Sequence, residues 1–240
     1  MKTLVALLLT LTAMTADASP YYRFWRGWRR PDVNPLAFQM ALTAKFIPAT
    51  VNVGAGRGLL GYMPALPPEH RGDVPDEIAL VVYESKAAYS AIRATPEGQA
   101  YTAMHDELFS RELGGKSTEP EPLTGPIVNE KAYDVLQSNA NWQRGFVVWK
   151  ISRVRGNADN YVRGVAGLAN KGLASFLVLN HGGVFYEYQL WRSAYEYSVA
   201  NAVIESLALN SLNRLTGGVA RPATKTQSLI RYGEALNLQF

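Results

Sequence analysis

The sequence predicts an α+β fold of two tandem β-α-β-β-α units, and three observations carry that prediction. A stretch of basic, Gly, Leu, small, aromatic and aliphatic positions occurs twice: Arg57-Gly58-Leu59-Leu60-Gly61-Tyr62-Met63 and Lys171-Gly172-Leu173-Ala174-Ser175-Phe176-Leu177. An apolar strand ending at a serine also recurs, Tyr83-Glu84-Ser85 with Tyr89 against Trp191-Arg192-Ser193 with Tyr195, and each serine is placed to cap the next helix. Upstream, Phe24-Trp25-Arg26 answers Val148-Trp149-Lys150 as the first strand of each half. Loop insertions make the spacings unequal, which describes a divergent duplication and not a short solenoid repeat.

Each element follows in order. In the first half, residues 22–28 read as a strand, and a helix starts at Pro35 with Asn34 as its cap. Strands at 59–66 and 77–83 come next, then helical segments over 86–113. Thr95-Pro96-Glu97 breaks and restarts these segments, because proline suits a first turn and harms an interior one. Residues 114–145 read as a linker, its start rich in Lys, Ser, Glu and Pro. In the second half, residues 146–152 form a strand. Asn157 or Asp159 caps a helix whose apolar positions Val162, Val165, Ala166 and Ala169 keep a 3.6-residue period up to Gly172. Strands 173–179 and 184–192 are joined by Asn180-His181-Gly182-Gly183, a hairpin signal. A last helix over 194–215 is expected to bury Val199, Val203 and Leu207 and to stop before Gly217-Gly218. The domain boundaries are therefore 19–113 and 146–215 for the two halves, with 216–240 as a C-terminal tail read as an extra strand or docked segment.

Composition bounds the function. With 18% charged and 48% hydrophobic residues in 240, the chain is neither disordered nor continuously membrane-spanning. A net charge of +4 falls short of a nucleic-acid binder's footprint, so no nucleic-acid partner is expected. Residues 1–18 have the three parts of a signal peptide: Met1-Lys2, an apolar run from Leu4 to Met14, and Ala16-Asp17-Ala18. The apolar run is shorter than the roughly 20 residues of a transmembrane helix. This predicts a periplasmic or secreted protein with no transmembrane segment. The absence of cysteine excludes disulfides, thiolate catalysis and Cys-ligated metal.

Paired β-α-β-β-α units whose sheets face each other resemble the ferredoxin-like dimeric α+β barrel superfamily, here as a tandem pseudo-dimer. That group holds antibiotic-biosynthesis-type monooxygenases, EthD-like proteins and haem-dependent chlorite dismutases. Tyr83-Glu84-Ser85-Lys86-Ala87-Ala88-Tyr89, then Thr95-Pro96-Glu97-Gly98-Gln99-Ala100-Tyr101 and His105, look like the third strand and following helix of single-unit members. The resemblance spans most of residues 21–215 and implies a fold more firmly than an activity. Its haem members hold iron through a helical histidine in their C-terminal half, and no histidine falls in the C-terminal helices here. No cofactor is expected on that ground, with haem the low-ranked alternative.

Several groups are candidates for chemistry. Val53-Gly54-Ala55-Gly56-Arg57-Gly58 imitates a nucleotide-binding glycine loop, but Asn52 replaces the usual acid, and Pro64, Pro67 and Pro68 forbid the long helix that should follow. The three histidines, His70, His105 and His181, lack metal-binding spacing, and no metal site is expected. His105 is the acid–base candidate, on an amphipathic helix. Thirteen Tyr and five Trp against eight Phe mark surfaces that bury area while keeping a polar handle. On the strand at 184–192, alternation puts Glu187 and Trp191 on one face and Tyr186 and Tyr188 on the other; the favoured reading is a sheet face buried against a sister sheet, with Glu187 and Tyr188 as further catalytic candidates if that face lines a barrel interior. Arg23, Arg26, Arg29 and Arg30 stand among Trp25, Trp28 and other aromatics, a pattern that fits equally an anion-attracting face for an envelope component and an edge strand with solvated arginines. Binding is thus assigned to Arg23, Trp25, Arg26, Trp28, Arg29, Tyr186 and Trp191. The preferred function is non-enzymatic binding of a small apolar or aromatic ligand or a protein partner, with a homo-oligomer as one form. The alternative is a cofactor-independent monooxygenase-like or haem-linked enzyme.

Overall fold

The computed structural model describes residues 20–67, 74–113 and 115–223. The segment read as a signal peptide, His70 and most of the tail lie outside the described residues.

The first half opens with strand β1 (Tyr21–Gly27). Helix α1 (Pro35–Ala41) follows, with the Asn34 side chain accepting from the Ala37 amide at 2.8 Å. Helix α2 (Ile47–Gly54) continues from it through a wider π turn over Leu42–Phe46. Pro48 explains the wide turn, since it has no N–H to donate four residues back and the ladder must be reset just before it. Strands β2 (Leu59–Ala65) and β3 (Glu77–Tyr83) lead into helices α3 (Lys86–Ala94) and α4 (Pro96–Leu108). Ser85 caps α3 at the Ala88 amide, and Thr95 caps α4 at the Gly98 amide. Gly98 is required at this break: a Cβ there would meet the Ile92 carbonyl oxygen at 2.1 Å.

Strand β4 (Lys116–Thr118) pairs antiparallel with β1, so the segment read as a linker contributes structure, and the first sheet has the order β2-β3-β1-β4. Strands β5 (Glu121–Pro122) and β6 (Lys131–Asp134) extend the edge of the other sheet. The second half repeats the plan with β7 (Phe146–Val154), α5 (Ala158–Ala166), β8 (Leu173–His181), β9 (Val184–Trp191), α6 (Ala194–Ala208) and β10 (Leu212–Ala220). Asn157 caps α5 and Ser193 caps α6. Gly182 and Gly183 both take positive φ, 59° and 75°, as the tight two-residue turn between β8 and β9 demands. The second sheet runs β10-β7-β9-β8-β6-β5, so its first four strands repeat the order of the first sheet.

Helix α6 corrects two expectations. It stops at Ala208, and residues 212–220 form β10 against β7. Gly217 and Gly218 are the reason, because Cβ atoms there would lie 2.9 Å from the Trp149 carbonyl and 3.1 Å from its indole nitrogen. The glycines admit a strand beside Trp149 and do not end a helix. The buried face is Tyr197, Ala200, Ile204 and Ala208, while Val199 and Val203 are exposed at 63% and 49%. Tyr197 decides this rotation: its ring packs against Trp191 and Phe146 at 5.7 and 5.6 Å, a larger apolar contact than the two valines offer.

Three apolar layers result. In the middle, Tyr22, Phe24, Met63 and Leu80 of the first sheet meet Trp149, Ile151, Leu177, Tyr186 and Tyr188 of the second. The Tyr188 hydroxyl donates across this layer to the Met63 and Ile78 carbonyls at 2.9 and 3.2 Å. Outside, α1, α2, α3 and α4 cover the first sheet, and α5 and α6 cover the second. The two sheets stack face to face without closing into a continuous barrel.

Candidate active site

A cavity of about 330 Å³ lies between the first sheet and its helices. Alternation along β1 turns Arg23 and Trp25 toward it, while Tyr22, Phe24 and Arg26 face the middle layer. Tyr62 of β2 and Tyr83 of β3 supply the sheet side; Thr50 of α2, Tyr89 and Arg93 of α3, and Tyr101 and His105 of α4 supply the helical side. Lys116 and Ser117 of β4 stand at one edge.

Beneath the floor is Glu77, the first residue of β3, with no exposed surface. One carboxylate oxygen accepts from the Tyr62 hydroxyl at 2.7 Å and the other from the Trp25 indole N–H at 2.9 Å. Burial pushes its pKa up to about 7, against the pull of those two donors toward the ionised form. Burial likewise holds Tyr62 and Tyr101 well above the ordinary tyrosine value. The Thr50 hydroxyl lies 3.0 Å from the Phe46 carbonyl and 2.8 Å from the Tyr101 hydroxyl. A carbonyl only accepts, so Thr50 donates there and Tyr101 donates to Thr50. The protons of Tyr62 and Tyr101 are both committed, and each hydroxyl keeps lone pairs to accept with.

His105 is brought into this wall. Its Nδ1 donates to the Tyr101 carbonyl at 3.1 Å, which leaves the lone pair on Nε2, and burial lowers its pKa, so the ring is neutral at pH 7. Trp25, Phe46 and Tyr101 surround the imidazole with ring centroids 5.2, 4.7 and 4.8 Å away. A haem laid against His105 would have to displace those three rings. His181 sits in the β8–β9 hairpin bonded to Glu130. These residues do not fit a haem. Among the described residues no group of three or more His, Asp or Glu side chains is arranged to hold a metal ion, and no helix is long and apolar enough to cross a membrane.

The structure disperses the other candidates. Glu187 is buried in the second half, accepting from the Tyr161 hydroxyl at 2.9 and 2.8 Å and from the Gln189 amide at 2.9 Å. Trp191 donates to Gln189 on the same face. Tyr186 and Tyr188 pack in the middle layer and line no part of this cavity. The arginines do not share a face. Arg26 is 1% exposed with its guanidinium over the Tyr186 ring, Arg29 bonds Asp76 and the Val33 carbonyl, and Arg30 forks onto Asp32. Trp28 is half-buried beside them, its carbonyl taken by the Ser110 amide. Sequence reasoning passed over Glu77 and Tyr62. The available signal was a single carboxylate heading the otherwise apolar strand Glu77-Ile78-Ala79-Leu80-Val81-Val82-Tyr83, where burial leaves an acid only if it is paired.

No family model matches the chain, and no curated protein matches it. Among solved structures, a provisionally assigned monooxygenase of Fusobacterium nucleatum is 12% identical with a TM-score of 0.49, over 86% of this chain and 94% of that one. An anthrone oxidase-like protein is 14% identical with a TM-score of 0.40, over 89% and 97%. A provisionally assigned chlorite dismutase is 8% identical with a TM-score of 0.43, over 87% and 96%. These descriptions correct the preferred function: neighbours across nearly the whole chain are named as monooxygenases and an oxidase-like protein, the alternative class, and not as exported non-enzymatic binding proteins. The two stacked units, each with strand order 2-3-1-4, give the tandem α+β arrangement that the sequence predicts, with the two sheets not closed into a barrel.

Proposed function

We propose that the chain is an enzyme that oxidises a planar aromatic substrate in the first-half cavity, using its own side chains as the acid–base apparatus. The observation that carries this is Glu77: a fully buried carboxyl group, bonded to a cavity-lining tyrosine, with a pKa of about 7. A buried acid tuned to neutrality can take a proton and return it, which is what a general base near pH 7 must do. Tyr62 passes its proton to Glu77 and takes the one leaving a ring methylene. The resulting carbanion gives its electrons to dioxygen, and a peroxide forms at that carbon. Loss of water with the second C–H proton leaves a carbonyl. One oxygen atom ends in the product and one in water, which accounts for all four electrons. The Trp25 and Tyr101 rings in the cavity wall flank a flat substrate, and neutral His105 offers Nε2 as a second acceptor.

The test is oxygen uptake by the purified chain with 1,8-dihydroxyanthrone, a probe chosen to suit the oxidase-like neighbour. The expected result is one dioxygen consumed per quinone formed, well above the spontaneous rate, and a return to that rate in Glu77→Gln. No acceleration over buffer, or equal acceleration by Glu77→Gln, would overturn the proposal.

A further inference from the structure

The cavity wall carries three cations, Arg23, Arg93 and Lys116, and no aspartate or glutamate among its lining residues. Arg23 is held in place, its Nε on the Ser117 hydroxyl at 2.7 Å and one terminal nitrogen on the Ser117 carbonyl at 2.8 Å. Arg93 gives one N–H to the Tyr89 hydroxyl at 3.2 Å. The two guanidinium groups lie 5.4 and 5.6 Å from the Tyr89 ring centroid. Arg23 has Glu119 at 4.0 Å, whereas Arg93 and Lys116 are exposed and form no ion pair among the described residues. Two unneutralised cations at the edge of a half-apolar cavity raise the local concentration of an anion and hold it by charge-assisted hydrogen bonds.

We infer that the cavity recognises an aromatic carboxylic acid, with its rings between Trp25 and Tyr101 and its carboxylate at Arg93 and Lys116. This substrate class rests on the oxidation proposed above. It follows that a neutral ring system of the same shape binds more weakly, and that the difference shrinks with salt, because the cations are exposed.

The experiment compares anthraquinone-2-carboxylate with the isosteric anthraquinone-2-carboxamide by isothermal titration at low and moderate salt. The carboxylate is expected to bind about tenfold tighter at low salt, the equivalent of one net charge-assisted hydrogen bond. In R93Q/K116Q the two probes should bind equally. Both positions are exposed, so the double variant keeps its fold. Equal affinities in the parent chain, or a preference that survives in R93Q/K116Q, would overturn the anion inference and leave the oxidation standing. If neither probe binds, the cavity is not the site and both readings fall.

Discussion

The two halves share a strand order and a chemical theme, yet their buried acids stand in different surroundings. In the first, Glu77 accepts from Tyr62 and Trp25 beneath an open space of about 330 Å³. In the second, Glu187 accepts from Tyr161 and Gln189, and Gln189 in turn accepts from Trp191. Lys150, wholly buried, reaches Glu205 at 3.2 Å, and Arg214 meets the same carboxylate at 3.2 Å. Where the first half leaves one acid under a cavity, the second surrounds its acid with donors and cations. Each acid has two side-chain donors, and what differs is the setting: Glu77 lies under an open cavity, whereas Glu187 has the Lys150–Glu205–Arg214 ion group in its own half. On the proposed function, the first half's acid serves chemistry and the second half's acid serves stability.

The largest effects are expected from a matched pair of substitutions. Glu77→Gln should lower turnover of the anthrone probe by about 10²- to 10⁴-fold, the usual weight of a general base, with the near-ultraviolet circular dichroism retained. Glu187→Gln should leave turnover in place and lower the melting temperature. A Glu187 variant that loses turnover as completely as the Glu77 variant would remove the distinction between the halves.

Titration tests the same difference without changing the protein. The folded pKa of Glu77, about 7, lies above its ordinary value of 4.5, so the folded state binds the extra proton between those values. Its contribution to stability is complete below pH 4.5 and is lost as pH rises through 7. The loss is on the order of 3 kcal/mol. Glu77→Gln should flatten that slope, measured as denaturant midpoints from pH 5 to pH 8. Activity should move the other way and rise with an apparent pKa near 7, because the base must be ionised.

The second half answers to a different substitution. Glu205→Ala strands Lys150, whose amine burial already pushes below the ordinary lysine value, and should cost about 2 kcal/mol after allowance for the partial exposure of Glu205. Lys150→Met, which removes the buried charge and keeps the volume, should be close to neutral. Thermal melts of both variants distinguish a charge network from simple packing. The smallest effects concern what the halves share: Ser85→Ala and Ser193→Ala should each cost about 1 kcal/mol, since each serine accepts one otherwise unbonded helix amide.

Local signals along the chain settled local structure. Asn34, Ser85, Thr95, Asn157 and Ser193 cap the helices they precede, Pro96 restarts a helix after the break at Thr95, and Gly182-Gly183 turns one strand into the next. In each case the cause and the effect lie within four residues of each other, so the one-dimensional pattern contains both. The recurrence of these signals also made the duplication legible. Tertiary structure alone decided that Lys116–Thr118 and Leu212–Ala220 complete the two sheets, because a strand's identity depends on the partner it finds, here more than 55 residues distant in each pairing. It decided as well that Arg26 is buried while Arg23 reaches the cavity, and that Tyr197 outweighs two valines on α6. Above all it decided the chemistry of Glu77. A carboxylate acquires a pKa near 7 from the removal of water by residues distant in sequence, with Tyr62 and Trp25 brought from 15 and 52 positions away to meet it. Desolvation is a property of the packed interior and is not written at any one position of the chain.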